Sequence, residues 1–404
     1  MIKKLSLIFL LALIIRLVLI SVAFHGDLYN NLSWGQMALK GLNGFYERKG
    51  FAYSIPNQPP LYILLFGFTS FIYQTIYNLS WYLNNHFGFF PSAFIWFWQQ
   101  NGNVILLKLP GIFADLGIGF LIYKFTKKIY LTCLWLFNPI SFYNSAIWGQ
   151  TDSVVNLFGL ISIFYLFKKD LVKSVLFFVI SILFKGSLTI FLPVLIVVWI
   201  LQKHKINDWM KAIIISGIFT VIVSIWFHPE INLPIWLLNL YTQRFFPGEI
   251  GYLTANAFNL WYLVNPGKIL DNTKYFGVTA HVIGYLISLI LGIILIYKKR
   301  KSLLKEKTIL IMLAISALIS FLFFTRIHER YLYPLFPIAT ILVGLIPEFI
   351  IPYVILSFVF LLNMYNLFWV PSIPFLQNIM MTSQLPTILS AVNLIIFIGV
   401  FVYV

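Results

Sequence analysis

Apolar runs of about 15 to 20 residues recur along the whole chain, and the gaps between them are short lysine clusters or polar stretches almost free of lysine. A helix needs roughly 20 apolar residues to cross the hydrocarbon core of a bilayer. The runs at 5–24, 59–82, 104–123, 129–147, 153–167, 174–184, 187–201, 209–227, 276–297, 308–324, 331–346, 350–370 and 386–404 therefore predict an all-α polytopic membrane protein of about ten to thirteen transmembrane helices. Composition agrees. Only 28 basic and 12 acidic residues are spread over 404 positions, and no arrangement of so few charges covers a water-facing surface of that size. A disordered chain, a secreted disulfide scaffold and a cytosolic enzyme are excluded. Cys133 stands alone in an apolar stretch, so the chain has no internal disulfide.

The net charge of +16 could suggest nucleic acid, but its distribution argues otherwise. Lys3 and Lys4, then Lys124, Lys127 and Lys128, then Lys168, Lys169 and Lys173, then Lys203, Lys205 and Lys211, and finally Lys298, Lys299, Arg300, Lys301, Lys305 and Lys307 sit between apolar runs, joined by only Asp170, Asp208 and Glu306. Basic loops of this kind mark the cytoplasmic side. A cleaved signal peptide is the other reading of the opening run, but Arg16 interrupts it where a signal core is uncharged. The run is taken as a first helix with its N-terminus inside.

Two stretches, Phe24 to Pro60 and His228 to Tyr275, are too long and polar for simple turns, and both map to the outer face with short amphipathic helices. Phe87 to Trp98 is too short to span and is expected in the interface. One conflict stands. If 59–82 crosses inward, parity puts Lys124 to Lys128 outside, against their charge. The chain reads as one membrane domain over 1–404, with a core at 1–335 and additional C-terminal helices at 336–404.

Charges away from the lysine clusters recur on the outer side, and ionisable residues at membrane depth are expensive enough to suggest function. Asp27 follows the first helix directly and could serve as a general base or as a plain helix cap. Asn57 and Gln58 precede the prolines that open the second helix and could face a cavity. Trp148, Gln150 and Asp152 at a hairpin tip offer an aromatic platform, an amide and a carboxylate for a sugar, or Thr151 simply caps a helix. Lys185 is the one charge between Val175 and Val198 and has to meet water, an acid or a phosphate. Arg326, His328 and Arg330 place three potential cations in five residues, a pattern suited to an anion unless Glu329 neutralises one of them. Arg244 adds another cation. Asp115, seven residues after Lys108 on one helical face, is expected to pair with it. No nucleotide-binding glycine loop, His-x-x-x-His or Asp-x-Asp is present, so neither cofactor nor metal is expected.

With these residues in view, the chain resembles the GT-C superfamily of integral-membrane glycosyltransferases. It is most similar to the dolichyl-phosphate-glucose-dependent glucosyltransferases and their prokaryotic relatives. The matching order is Gly26-Asp27, Pro59-Pro60-Leu61, Ala114-Asp115-Leu116, Phe184-Lys185, Arg244 to Pro247, Ala255-Asn256 with Trp261, and His328-Glu329-Arg330. Gln58 replaces a tyrosine of that pattern, and Arg330 stands where the eukaryotic enzymes carry lysine. The resemblance implies a GT-C-like bundle, a polyprenyl-phosphate hexose donor, a hydroxyl acceptor on a lipid-linked or cell-envelope glycan, and membrane lipid rather than nucleic acid as surroundings. It further implies Asp27 as base, Lys185, Arg244, Arg326, His328 and Arg330 on the donor phosphate, and Asn57, Gln58, Trp148, Gln150, Asp152 and Asn256 on sugar or acceptor. The Lys-, Ile-, Phe- and Asn-rich composition points to a prokaryotic plasma membrane. A transporter or flippase and a scaffold subunit remain as rivals. A transporter calls for inverted repeats and midplane polar residues, which the sequence does not display.

Overall fold

The computed structural model describes residues 2–246 and 250–404. Among these the chain is predominantly helical with almost no strand, and seven helices are long and apolar enough to cross a membrane. The first helix, α1 (Ile2–Leu19), is followed by α2 (Asp27–Leu39), α3 (Pro60–His86) and α4 (Ser92–Thr126). A broken segment comes next, made of α5 (Ile129–Leu136), α6 (Pro139–Phe142) and a π-helical turn over Tyr143–Trp148. Then come α7 (Asp152–Phe167), α8 (Leu171–Phe184), a 3₁₀ segment with α9 (Leu192–Leu201), and α10 (Ile206–Ser224). The second long loop holds α11 (Leu233–Leu240), α12 (Leu260–Val264) and a two-strand hairpin of β1 (Lys274–Tyr275) and β2 (Val278–Thr279), turned by Phe276 and Gly277 at φ 53° and 82°. α13 (Ala280–Lys299), α14 (Glu306–Phe323), α15 (Leu335–Leu345), α16 (Ile350–Leu367), α17 (Pro374–Thr382) and α18 (Leu385–Tyr403) complete the chain.

Cross-helix bonds fix which ends lie together. Lys128 Nζ donates to the Gly344 carbonyl at 2.7 Å, Gln202 Nε2 to Leu166 O at 2.9 Å, and Lys298 Nζ to Phe401 O at 3.0 Å, so the lysine clusters gather at one end of the bundle. Between that end and the other the described residues run twelve segments: α1, the second half of α4, the broken segment 129–148, α7, α8, 186–201, α10, α13, α14, α15, α16 and α18.

The remaining long helix, α3, removes the parity conflict. α4 is a single helix of 35 residues, about 52 Å long at 1.5 Å per residue, well beyond a core of roughly 30 Å. Half of it is about long enough to cross. Lys108, near its middle, meets the carbonyls of Ile20 and Ala23 just past the end of α1, and Gly111 lies against the Gln150 carbonyl. Its first half pairs antiparallel with α3, where Trp98 Nε1 donates to Tyr73 O at 3.2 Å and Asn84 Nδ2 to Phe90 O at 2.8 Å. The turn at 87–91 therefore lies at the far end of α4 from Lys127, and charge and connectivity agree. Phe87 to Trp98 is not a separate surface piece: residues from Ser92 onward begin the long helix, continued because Pro110 is accommodated within it.

A second correction concerns Asp115. It pairs with Arg16 across helices (Nε to Oδ2, 3.1 Å), not with Lys108, whose ammonium is taken by the carbonyls of Ile20, Ala23 and Ile147. Arg16 and Asp115 are both 0% exposed, and an unpaired charge there would be costly, so the pair is saturated. Arg16 also donates to Ala12 O, Leu136 O and Ser141 Oγ. Asp115 accepts from Ser145, Ser153 and Tyr333 at 2.6, 2.6 and 3.0 Å. One carboxylate thus ties α1, α4, the π-helical turn, the start of α7 and the turn before α15.

Candidate functional site

Five ionisable side chains from four distant parts of the chain meet just beyond that buried pair, at the end of the bundle opposite the lysines. Asp27 arrives as the first residue of α2, Asp152 as the first residue of α7, Lys185 in extended backbone after α8, and Glu329 with Arg330 on the turn between α14 and α15. Arg330 is the hub. Its Nη1 donates to Glu329 Oε1 at 2.6 Å, Nη2 lies 3.9 Å from Asp27 Oδ2, and Nε lies 4.0 Å from Asp152 Oδ2. Lys185 Nζ donates to Asp152 Oδ1 at 2.7 Å and sits 5.2 Å over the Tyr331 ring. Gln150 Nε2 donates to Asp27 Oδ2 at 2.6 Å.

The local backbone explains the convergence. The π-helical turn 143–148 widens the helix and ends at Gly149, φ 85°, which directs the chain into the tip carrying Gln150 and Asp152. A Cβ on Gly149 would stand 3.0 Å from Leu28 and 3.1 Å from Lys108, so both the conformation and the space require glycine. Thr151 holds the N-cap position of α7 but makes no side-chain capping bond. Asp27 at a helix start benefits from the free N–H groups there, and His25 Nδ1 accepts from the Asp27 backbone N–H at 3.0 Å.

Electrostatics follow from this packing. Burial pushes the Glu329 carboxyl up, but the adjacent Arg330 and then His328 outweigh it and hold it at about 2. Burial opposes the Arg330 charge, yet Glu329, Asp27 and Asp152 together keep the guanidinium more firmly protonated than usual. Burial lowers His25 below its ordinary value against the pull of Asp27, which favours the neutral ring whose Nδ1 accepts from the Asp27 backbone N–H. Asp27, Asp152 and Glu329 against Lys185 and Arg330 leave the five groups one negative charge in excess.

Trp148 differs from its expected role. The ring is 0% exposed, enclosed by His25 (4.9 Å), Phe368 (5.6 Å) and the Arg330 guanidinium (5.7 Å), so it backs the cluster and offers no face to a sugar. Its Nε1 and the Nε of Arg330 are buried donors without a hydrogen-bond partner.

Several expected members lie elsewhere. Arg326, in a left-handed conformation (φ 62°), forms a bidentate pair with Asp271 at 2.7 and 3.0 Å and closes the second long loop onto the end of α14. Asp271 holds that arginine's charge up by hydrogen bonding. Arg244 donates to Tyr46 O at 2.9 Å and covers its ring, and the Tyr46 hydroxyl donates to Gln58 O, so Arg244 braces the loop that leads to α3. Asn57 accepts from Gln58 Nε2 at 3.2 Å. Asn256 pairs its backbone with His328 and gives its carbonyl to Asn363, while His328 Nδ1 stands 3.8 Å from Glu329 Oε2 at the edge of the cluster. Pro247, which completes the Arg244 motif, lies outside the described residues.

Sequence reasoning missed His25 and Phe368. The Phe368 ring packs edge-on to His25 at 4.8 Å, and its carbonyl accepts from the Tyr143 hydroxyl, so the C-terminal helices reach the cluster. In a chain with 41 phenylalanines nothing singles this one out. No protein-family model and no curated protein matches the chain.

Proposed function

We propose that this chain is an inverting glycosyltransferase of the GT-C kind, moving a hexose from a polyprenyl-phosphate donor to a hydroxyl of a lipid-linked or cell-envelope glycan at the outer face of a prokaryotic plasma membrane. The observation that carries the reading is the position of Asp27. It is 39% exposed, accepts from Gln150, stands 3.9 Å from the Arg330 guanidinium, and lies at the bundle end opposite the cytoplasmic-type lysine clusters.

Its Oδ2 takes the contacts with Gln150, His25 and Arg330, and no described residue bonds Oδ1. Oδ1 accepts the proton of the acceptor hydroxyl as that oxygen forms its bond to the anomeric carbon. The bond from that carbon to the phosphate oxygen breaks, and its electron pair leaves with the phosphate. Attack from the face opposite the leaving group inverts the centre. A positioned carboxylate base contributes about 100- to 10,000-fold.

The leaving phosphate gains charge, which Lys185 and Arg330 stabilise. Both cations already face carboxylates, so the donor has to displace some of these contacts. The weakest are those of Arg330 with Asp27 and Asp152, at 3.9 and 4.0 Å, and they yield first. Arg244, Arg326 and His328 then act as braces of the surrounding loops. Asn57, Gln58 and Asn256 hold the loops leading to α3 and α12.

The test is to incubate purified protein in lipid nanodiscs with a synthetic polyprenyl-phosphate hexose and lipid extract from a prokaryotic envelope. Transfer of the hexose with inversion of the anomeric centre, read by NMR of the product, is expected. Intact donor carried across the bilayer with no glycosidic product would overturn the reading.

A further inference from the structure

At the lysine end the structure holds a second feature, independent of the cluster above. An open cleft of about 520 Å³ lies between α5 and the turn joining α15 to α16, lined by Tyr130, Leu134, Val343, Pro347 and Ile350. Its walls are apolar, from Tyr130, 57% exposed, at the outside to the buried Val343. Lys128 stands beside it, with two further lysines preceding it in the chain. Lys128 Nζ reaches across to the Gly344 carbonyl at 2.7 Å, next to Val343, and lies 6.0 Å over the ring of Tyr130. Lys127 precedes it at the left-handed C-cap of α4 (φ 56°), with its ammonium 5.9 Å over Tyr123, and Lys124 sits one turn back, 5.2 Å over Phe120.

None of the three lysines has a carboxylate partner among the described residues. In the framing segments 119–137 and 338–354 the only acid is Glu348, exposed on the turn. Three cations against one acid leave a positive rim. Lys128 keeps N–H donors beyond the one given to Gly344, and a cation laid along an aromatic ring is held in place without being neutralised. An apolar cleft below a positive rim, at the end where basic loops meet the membrane surface, matches a molecule with an acyl chain and an anionic head.

We infer that this cleft is a binding site for one anionic phospholipid, its phosphate on Lys127 and Lys128 and an acyl chain along Tyr130, Leu134, Val343, Pro347 and Ile350. Surface attraction to an anionic leaflet adds about 1 kcal/mol per lysine, so two lysines correspond to roughly 30-fold preference over a zwitterionic lipid of the same chains.

The experiment uses the full chain, purified from nanodiscs containing equal phosphatidylglycerol and phosphatidylcholine, washed in detergent and examined by native mass spectrometry. One retained phosphatidylglycerol is expected at least tenfold over phosphatidylcholine. The K127Q/K128Q pair should erase the preference, and Val343→Trp, which fills the cleft and keeps the lysines, should lose the lipid altogether. Because the two variants perturb different parts, failure of one to fold leaves the other decisive. Equal retention of both lipids by the unaltered chain, or undiminished phosphatidylglycerol in either folded variant, would overturn the inference.

Discussion

The Arg16–Asp115 pair offers the sharpest test of how this bundle holds its site together. Both side chains are fully buried, and together they join α1, α4, the π-helical turn, α7 and the turn before α15. Replacing Asp115 with leucine leaves a guanidinium with neutral acceptors only, Ala12 O, Leu136 O and Ser141 Oγ, and removes an acceptor from Ser145, Ser153 and Tyr333. Breaking a buried pair from one side costs about 3–5 kcal/mol, because the remaining charge is uncompensated. Arg16→Met should cost a similar amount for the mirrored reason. The double variant removes both charges, and replacing a buried pair by apolar groups is close to neutral. Its loss should therefore be well below the sum of the single losses, with a coupling of at least about 2 kcal/mol. Equilibrium unfolding of the detergent-solubilised protein, followed by tryptophan fluorescence, measures all four corners of this cycle. Single losses below about 1 kcal/mol, or a double variant that loses the sum, would refute the reasoning.

Three further outcomes follow from the cluster. Gly149→Ala forces a side chain into a left-handed position already crowded by Leu28 and Lys108, so it should destabilise by about 1–3 kcal/mol and lower transfer, read by thermal melt and activity together. Lys185→Gln removes the partner of Asp152 at 2.7 Å and one of two cations on the leaving phosphate, and turnover should fall about 100- to 1,000-fold in a steady-state assay; an unchanged rate would free Lys185 of that role. His25 has its pKa lowered by burial, so the unfolded chain takes up its proton first as pH falls. Stability is then full above pH about 6.5 and declines below it, by at most about 1.4 kcal/mol per pH unit. His25→Asn, which does not titrate, should flatten that decline in melts recorded from pH 7.5 to 5.5.

Much of this cluster was legible because charge is scarce. Lys185 interrupts an otherwise apolar stretch, Asp27, Asp152 and Arg330 stand in short polar breaks between apolar runs, and Gln150 stands beside Asp152 on one tip. What the sequence lacked was any signal for pairing across helices. Asp115 and Lys108 share a helical face seven residues apart, yet the actual partner, Arg16, lies 99 positions away on another helix. Arg326 and Arg330 are four residues apart, which on a helix would place them together. The turn is not helical, and the left-handed Arg326 faces Asp271 instead. Aromatic residues carried no information at all: Trp148 is conspicuous in sequence but enclosed, while Phe368 is inconspicuous and packs on the cluster.

Helix boundaries show a similar limit. Apolar periodicity identified 104–123 as a crossing, but hydropathy cannot reveal that α4 starts at Ser92 and carries its first half past the crossing beside α3. Both helices are apolar enough to span, and the register of Trp98 on Tyr73 and of Lys108 on Ile20 pairs α3 with the half of α4 that precedes Lys108.

The central claim is that Asp27 is the base of a transfer reaction, and the most direct measurement compares wild type with Asp27→Asn. The exchange keeps size and the hydrogen bond to Gln150 while removing the proton acceptor. Transfer from a radiolabelled polyprenyl-phosphate hexose should fall by about 100-fold or more, with donor binding retained. A near wild-type rate in the purified variant would contradict the account.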